Sequence, residues 1–210
     1  MNILTYQVGQ MQANCYFLID GHDTLVIDPG DSGEFLLEII SRQSLNVHAI
    51  LATHGHFDHI MAAGEMQLAL GVPFYIQQHD MFLLERIGDT AKHFLGYEPY
   101  VLAPKDVLNM ELGSVNIGPF ALNIISTPGH TPGSVCIYHQ GEGSVFVGDL
   151  LFHGGGIGRY DFSYSDKKQL IQSIKHLLAT VPDETIMYSG HGESSIMEVE
   201  QQYLDHAGLW

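Results

Sequence analysis

The chain has 210 residues, 45% of them hydrophobic, a globular composition with enough material for a substantial buried core. Its formal net charge of −16, from 24 acidic and 8 basic residues, repels phosphate backbones and anionic lipid, which argues against nucleic-acid or membrane binding. The opening MNILTYQVGQ has neither the basic start nor the apolar run of a secretory signal, and no apolar stretch approaches the roughly 20 residues of a bilayer span, so a cytoplasmic protein is expected.

Short apolar runs predict strands at residues 15–19 and 24–27, joined as a hairpin across Asp20-Gly21-His22-Asp23. A helical pattern follows over 34–42, then a strand over 49–53. A second helix is predicted over 60–70, because the pattern stops at Gly71 ahead of Val72-Pro73. After a strand at 74–76, residues 77–106 lack strand signals and carry Phe82, Phe94, Tyr97 and Tyr100. That stretch reads as a helical excursion with its own small core; a flap over a substrate is the functional alternative. Further strands are predicted at 122–126, 134–138, 145–147 and 185–188, and a helix over 167–179 that Ser165 or Asp166 can cap. Hairpin-like pairs first and strand–helix alternation later point to one mixed α/β layered domain over 1–210. Cys15 and Cys136 stand far apart with no C-x-x-C spacing, and read as small hydrophobes.

Chemistry collects at the ends of four predicted strands. The run 49–52 leads into THGHFDH at 53–59, which carries His54, His56, Asp58 and His59. NIISTPGH ends at His130, SVFVGD at Asp149 and TIMYSGH at His191. A histidine or aspartate after one strand is unremarkable, but loops after several strands of a layered α/β fold cluster at one edge, where sites form. Imidazole and carboxylate without thiolate suit zinc, with iron or manganese as alternatives. Seven such ligands exceed what one tetrahedral ion uses and suit two ions sharing a carboxylate, about 3.5–4 Å apart. Of the remaining histidines, most read as solvated or structural, and His153 stands out because it follows the Asp149 strand. The Gly154-Gly155-Gly156 run beside it lacks the lysine and helix opening of a phosphate loop. Arg159 and Asp161 read as a structural ion pair.

THGHFDH, TPGHTPGS, VGD and SGHG, in that order, resemble the metallo-β-lactamase fold in its H-x-H-x-D-H branch. IDPG at 27–30, QANCYFLI at 12–19 and GGIGRYDF at 155–162 narrow the likeness to small proteins similar to glyoxalase II. The resemblance implies an αββα four-layer sandwich. It implies one metal on His54, His56 and His130, a second on Asp58, His59 and His191, and Asp149 bridging them. Asp28 resembles a residue that orients a ligand histidine; it is also the first residue of an Asp-Pro-Gly turn, and both roles are compatible.

The function this implies is hydrolysis of a small-molecule thioester or ester, of the hydroxyacylglutathione type, with Asp58 as catalytic carboxylate beside the attacking water. Glyoxalase II proper has a C-terminal helical domain that helps hold glutathione, whereas 19 residues follow His191 here, so a loose thiol preference is expected. Three alternatives carry over. One is a persulfide dioxygenase-like enzyme with a single iron on His54, His130 and Asp149. The others are a lactonase of the same branch and a non-catalytic metal-binding module.

Overall fold

The structure, a computed structural model, describes residues 1–208. Two compact units divide it: Met1–Met110 with Ile117–Pro119, and Glu111–Asn116 with the described residues from Phe120 onward.

The first unit is built on a six-stranded sheet whose spatial order follows the sequence. Its strands are β1 (Asn2–Val8), β2 (Ala13–Asp20), β3 (Asp23–Ile27), β4 (Asn46–Leu51), β5 (Phe74–Ile76) and β6 (Leu108–Asn109). The first three pair antiparallel; β3 through β6 run parallel. All but the last residue of β2 is buried, as expected of a strand covered on both faces. Helix α1 (Gly33–Arg42) buries Gly33, Leu36 and Ile40, one stripe at helical spacing. The predicted hairpin forms, with Asp20 opposite Asp23.

The helix predicted over 60–70 is instead two pieces, α2 (Phe57–Ile60) and α3 (Ala63–Leu70). Ala62 gives its N–H to the carbonyl of Pro29 (3.0 Å), which interrupts the helical ladder between them. Gly71 closes α3 with φ 68°, the left-handed cap its position predicts. The 77–106 stretch holds a 3-10 turn (Gln78–Asp80), α4 (Met81–Leu84) and α5 (Ile87–Leu95). It has no separate core: Leu84, Ile87 and Ala91 join the main cluster around Phe17, Ile50 and Phe74. Phe94 stacks on Phe57 at 5.7 Å between ring centroids.

A second sheet carries β7 (Gly113–Ile117), β8 (Phe120–Ser126), β9 (Val135–His139), β10 (Ser144–Gly148), β13 (Ile186–Ser189) and β14 (Ser195–Ile196) in the order β14-β13-β10-β9-β8-β7. Between β10 and β13 come the small hairpin β11 (Leu151–Phe152) and β12 (Gly156–Ile157), then α6 (Lys167–Thr180). Asp166 caps α6 by accepting from the N–H groups of Lys168 and Gln169. Leu170, Ile174 and Leu177 of α6 join Val145, Val147 and Met187 in the second unit's core, together with Met197 and Leu204 of α7 (Met197–His206).

Candidate metal centre

In the first unit, the parallel pairing of β3 and β4 sets Ile27 beside Leu51, so both strands end at one edge. Asp28 leaves β3 with its N–H on the Leu51 carbonyl (2.9 Å), and Thr53 leaves β4 opposite it. The buried Asp28 carboxylate accepts from the Thr53 N–H (2.7 Å), the Thr53 hydroxyl (2.6 Å) and His59 Nδ1 (3.1 Å). Asp28 sits at φ 53°, a left-handed conformation that Asp and Asn tolerate better than most side chains. Gly30 completes the turn, because a Cβ there would fall on the Asp58 carbonyl oxygen. His54, His56 and His59 are buried, and Asp58 and His59 lie on α2.

In the second unit, β8 and β10 are each antiparallel to β9, and β13 is parallel to β10. Three strands therefore point the same way, and His130, Asp149 and His191 follow their C-terminal ends. Gly190 donates to the Gly148 carbonyl (2.8 Å), which draws the Asp149 and His191 turns together. Helix α6 ties down the His130 loop: Ser173 bonds the Pro128 carbonyl (2.7 Å), the Asp166 N–H that of Gly129 (2.8 Å) and Ser165 that of His130 (2.7 Å).

Both ligand sets fit a metal. Asp28 is an acceptor, so His59 Nδ1 carries the proton; the Arg159 carbonyl imposes the same on His130 Nδ1 (2.7 Å). The Thr53 hydroxyl spends its proton on Asp28, so His54 Nδ1 must donate to Thr53 Oγ1 (3.1 Å). A neutral imidazole protonated at Nδ1 leaves Nε2 as the ligand atom.

The Nε2 atoms face carboxylate oxygens at distances too long for hydrogen bonds. His59 Nε2 is 3.7 Å from Asp58 Oδ2, His130 Nε2 is 3.5 Å from Asp149 Oδ2, and His191 Nε2 is 3.8 Å from Asp149 Oδ1. Two ligands of one four-coordinate ion with bonds of 2.0–2.1 Å stand about 3.3 Å apart, so these are spacings for ligands around a common ion. No thiolate competes: Cys15 and Cys136 are buried, and burial pushes Cys136 up to about 12 and Cys15 well above its ordinary value.

Two supporting residues had no usable sequence signal. Buried Asp80, from the 77–106 stretch, accepts the Gly55 N–H at 2.8 Å and pins the turn between His54 and His56. Buried Glu200, on α7, accepts from Gly155 (2.7 Å) and His153 (3.1 Å). The Gly154–Gly156 run thus belongs to the turn and second strand of the β11–β12 hairpin. Arg159 and Asp161 form the expected exposed ion pair, with two contacts of 2.9 Å.

Comparison with known proteins extends this picture across the chain. The Metallo-beta-lactamase superfamily profile matches residues 8–191. The probable metallo-hydrolase YqgX of Bacillus subtilis is 39% identical over 194 residues, 92% of each chain. Hydroxyacylglutathione hydrolase GloC of Haemophilus influenzae is 34% identical over 204 residues, 96% of each chain. Among solved structures, BLEG-1 B3 metallo-beta-lactamase superposes with a TM-score of 0.89 at 32% identity, covering 96% of this chain and 97% of that one. TTHA1623, in a di-iron-bound form, gives 0.87 at 35% identity, covering 95% and 98%. Strand-end ligands on two mixed sheets, the order of the motifs and these full-length likenesses lead to one assignment: the chain belongs to the metallo-beta-lactamase superfamily.

Proposed function

We propose that the two ligand sets hold two divalent metal ions and that the protein hydrolyses thioesters of the hydroxyacylglutathione type. His54, His56 and His130 would take one ion, Asp58, His59 and His191 the other, with Asp149 shared. The observation that carries the reading is Asp149 itself, whose two carboxylate oxygens face two different histidines, His130 and His191. That is how a bridging carboxylate is disposed. The GloC relative, described as a hydroxyacylglutathione hydrolase, supports the substrate class; its length closely matches that of this chain.

When bound, the ions would supply a water acidified to a pKa of about 7 and positive charge for a developing oxyanion. The chain's own residues do the rest. Asp58 orients the attacking water and accepts its proton. Asp28 holds His59, and the Arg159 carbonyl holds His130, each with Nε2 presented to the site. Zinc is the proposed metal on ligand chemistry; the di-iron form of TTHA1623 makes iron the alternative to measure against.

The test is elemental analysis of protein from metal-replete growth, paired with turnover of lactoylglutathione, other thioesters and lactones. About two ions per chain with thioester hydrolysis is expected. A single iron with oxygen uptake on a persulfide would overturn the reading in favour of an oxidoreductase using His54, His130 and Asp149. Lactone turnover without thioester turnover would move the substrate class, and two ions with no turnover would leave a binding module.

A further inference from the structure

The β11–β12 hairpin touches every ligand of the second unit. It departs at Asp149 and returns at Gly158, whose N–H reaches the Leu150 carbonyl (3.3 Å). A Cβ at Gly158 would fall on the Asp149 carbonyl oxygen and lie 3.2 Å from His130 Nδ1, so the returning strand packs directly behind both ligands. The next residue, Arg159, gives its carbonyl to His130 Nδ1 (2.7 Å). From the outgoing strand, the Phe152 ring meets the His191 imidazole at 6.2 Å between centroids. Two paired residues on each side, Leu151 with Ile157 and Phe152 with Gly156, are too few to hold such a hairpin by themselves.

Its tip is held from elsewhere. Gly154 and Gly155 take φ 84° and 77° there, and the Gly155 N–H donates to Glu200 Oε2 (2.7 Å). His153 Nδ1 and the Ser195 hydroxyl both reach Glu200 Oε1. Glu200 occupies the middle of the buried stripe of α7, between Met197 and Leu204, a position where an apolar side chain would be the stable choice. A carboxylate placed there is costly unless hydrogen-bonded, and here three donors from the hairpin and β14 converge on it.

We propose that Glu200 is a positioning residue for the metal ligands of the second unit, acting through the hairpin that sets Asp149, His130 and His191; this rests on the metal-site reading above. It makes α7 part of the site's support without a contact to the ions.

Glu200→Gln keeps the shape of the side chain and removes the charge that gathers the three donors. Chelator competition on the folded variant should show metal affinity lower by about tenfold, the lower end of what outer support of a metal ligand is worth. The visible spectrum of the cobalt-loaded variant should shift with it. A lower melting temperature of the apo-protein with unchanged metal affinity and an unchanged cobalt spectrum would overturn the proposal and leave Glu200 as packing only. Should Glu200→Gln fail to fold, Ser195→Ala removes one donor and leaves the carboxylate; the same measurements then apply, with a smaller loss expected and no loss overturning the proposal. Wild-type protein separates the two readings. If it binds no metal the metal site itself fails, whereas two ions bound equally by wild type and variant sink this inference alone.

Discussion

The two units assemble their candidate ligand sets differently. The first packs four candidate ligands into His54–His59 and steadies them with buried carboxylates from distant positions, Asp28 and Asp80. The second spreads three candidate ligands over residues 130–191 and is steadied at its turns: the Arg159 carbonyl takes His130 Nδ1, Gly190 bonds Gly148, the Ser165 and Ser173 hydroxyls hold carbonyls of the His130 loop, and Glu200 holds the tip of the β11–β12 hairpin. A contiguous loop has little sheet to hold it, so side chains must reach in and satisfy it. A dispersed set inherits its geometry from three strands that run the same way and needs only its turns pinned. The first mount should therefore yield to changes in the carboxylates that reach into it, while the second should resist all side-chain changes but those that pin its turns.

Asp58 tests the chemistry carried by the first mount and has the largest expected effect. Asp58→Asn keeps the side chain's size but removes its charge and its capacity to accept a proton. A loss of about 10²–10³ in kcat is expected with the fold intact by circular dichroism, the scale of removing one transition-state electrostatic contact. Near-normal turnover in a folded variant would take Asp58 out of the mechanism.

Asp28 tests the support. Asn accepts a left-handed φ nearly as well as Asp, so Asp28→Asn adds little backbone strain at φ 53°. The amide cannot accept from the Thr53 N–H, the Thr53 hydroxyl and His59 Nδ1 together, because one of its ends is a donor. Metal affinity should fall by about 10–100-fold by chelator competition. Wild-type affinity would mean that the loop holds His59 unaided, and the contrast between the two mounts would collapse.

These contrasts also explain what could be read from sequence. The candidate ligands stood out in the sequence because the loops that carry them follow apolar runs, and the heptapeptide THGHFDH is too dense to pass as an ordinary loop. Strand and helix positions were legible wherever periodicity or caps were strong, as at Gly71 and Asp166. The two-residue strands β6, β11, β12 and β14 were not, since pairs such as Leu151-Phe152 have no periodicity to detect, nor were the edge strands β1 and β7, which are mostly exposed or half-buried and carry no continuous apolar run. Helix α7 escaped because only Met197, Glu200 and Leu204 of its ten residues are buried, and one of those is a carboxylate. Asp80 left no trace because its partner is a backbone N–H, which every residue but proline offers. The break at Met61-Ala62 depends on the Pro29 carbonyl, more than thirty residues away in sequence.

The smallest expected effect concerns the thiol portion of the proposed substrate. In the proposed reaction the metals would act on a carbonyl, which every thioester has, so discrimination among thiols would have to come from remote contacts that help reach the transition state. Glutathione offers carboxylates for such contacts, yet the chain has only 8 basic residues against 24 acidic ones. Several are already committed: Arg42 to Glu38, Lys92 to Glu98, and Arg159 to Asp161 through both ends of its guanidinium. An arginine held in that fork is not free to take a substrate carboxylate without giving up a bidentate partner. Trimming the peptide portion of lactoylglutathione should therefore change kcat/KM by less than about tenfold, or roughly 1.4 kcal/mol. Steady-state kinetics on a trimmed series decides it. A loss of several hundredfold would mean that the protein reads the peptide as well as the carbonyl, and that a dedicated thiol pocket accompanies the two mounts.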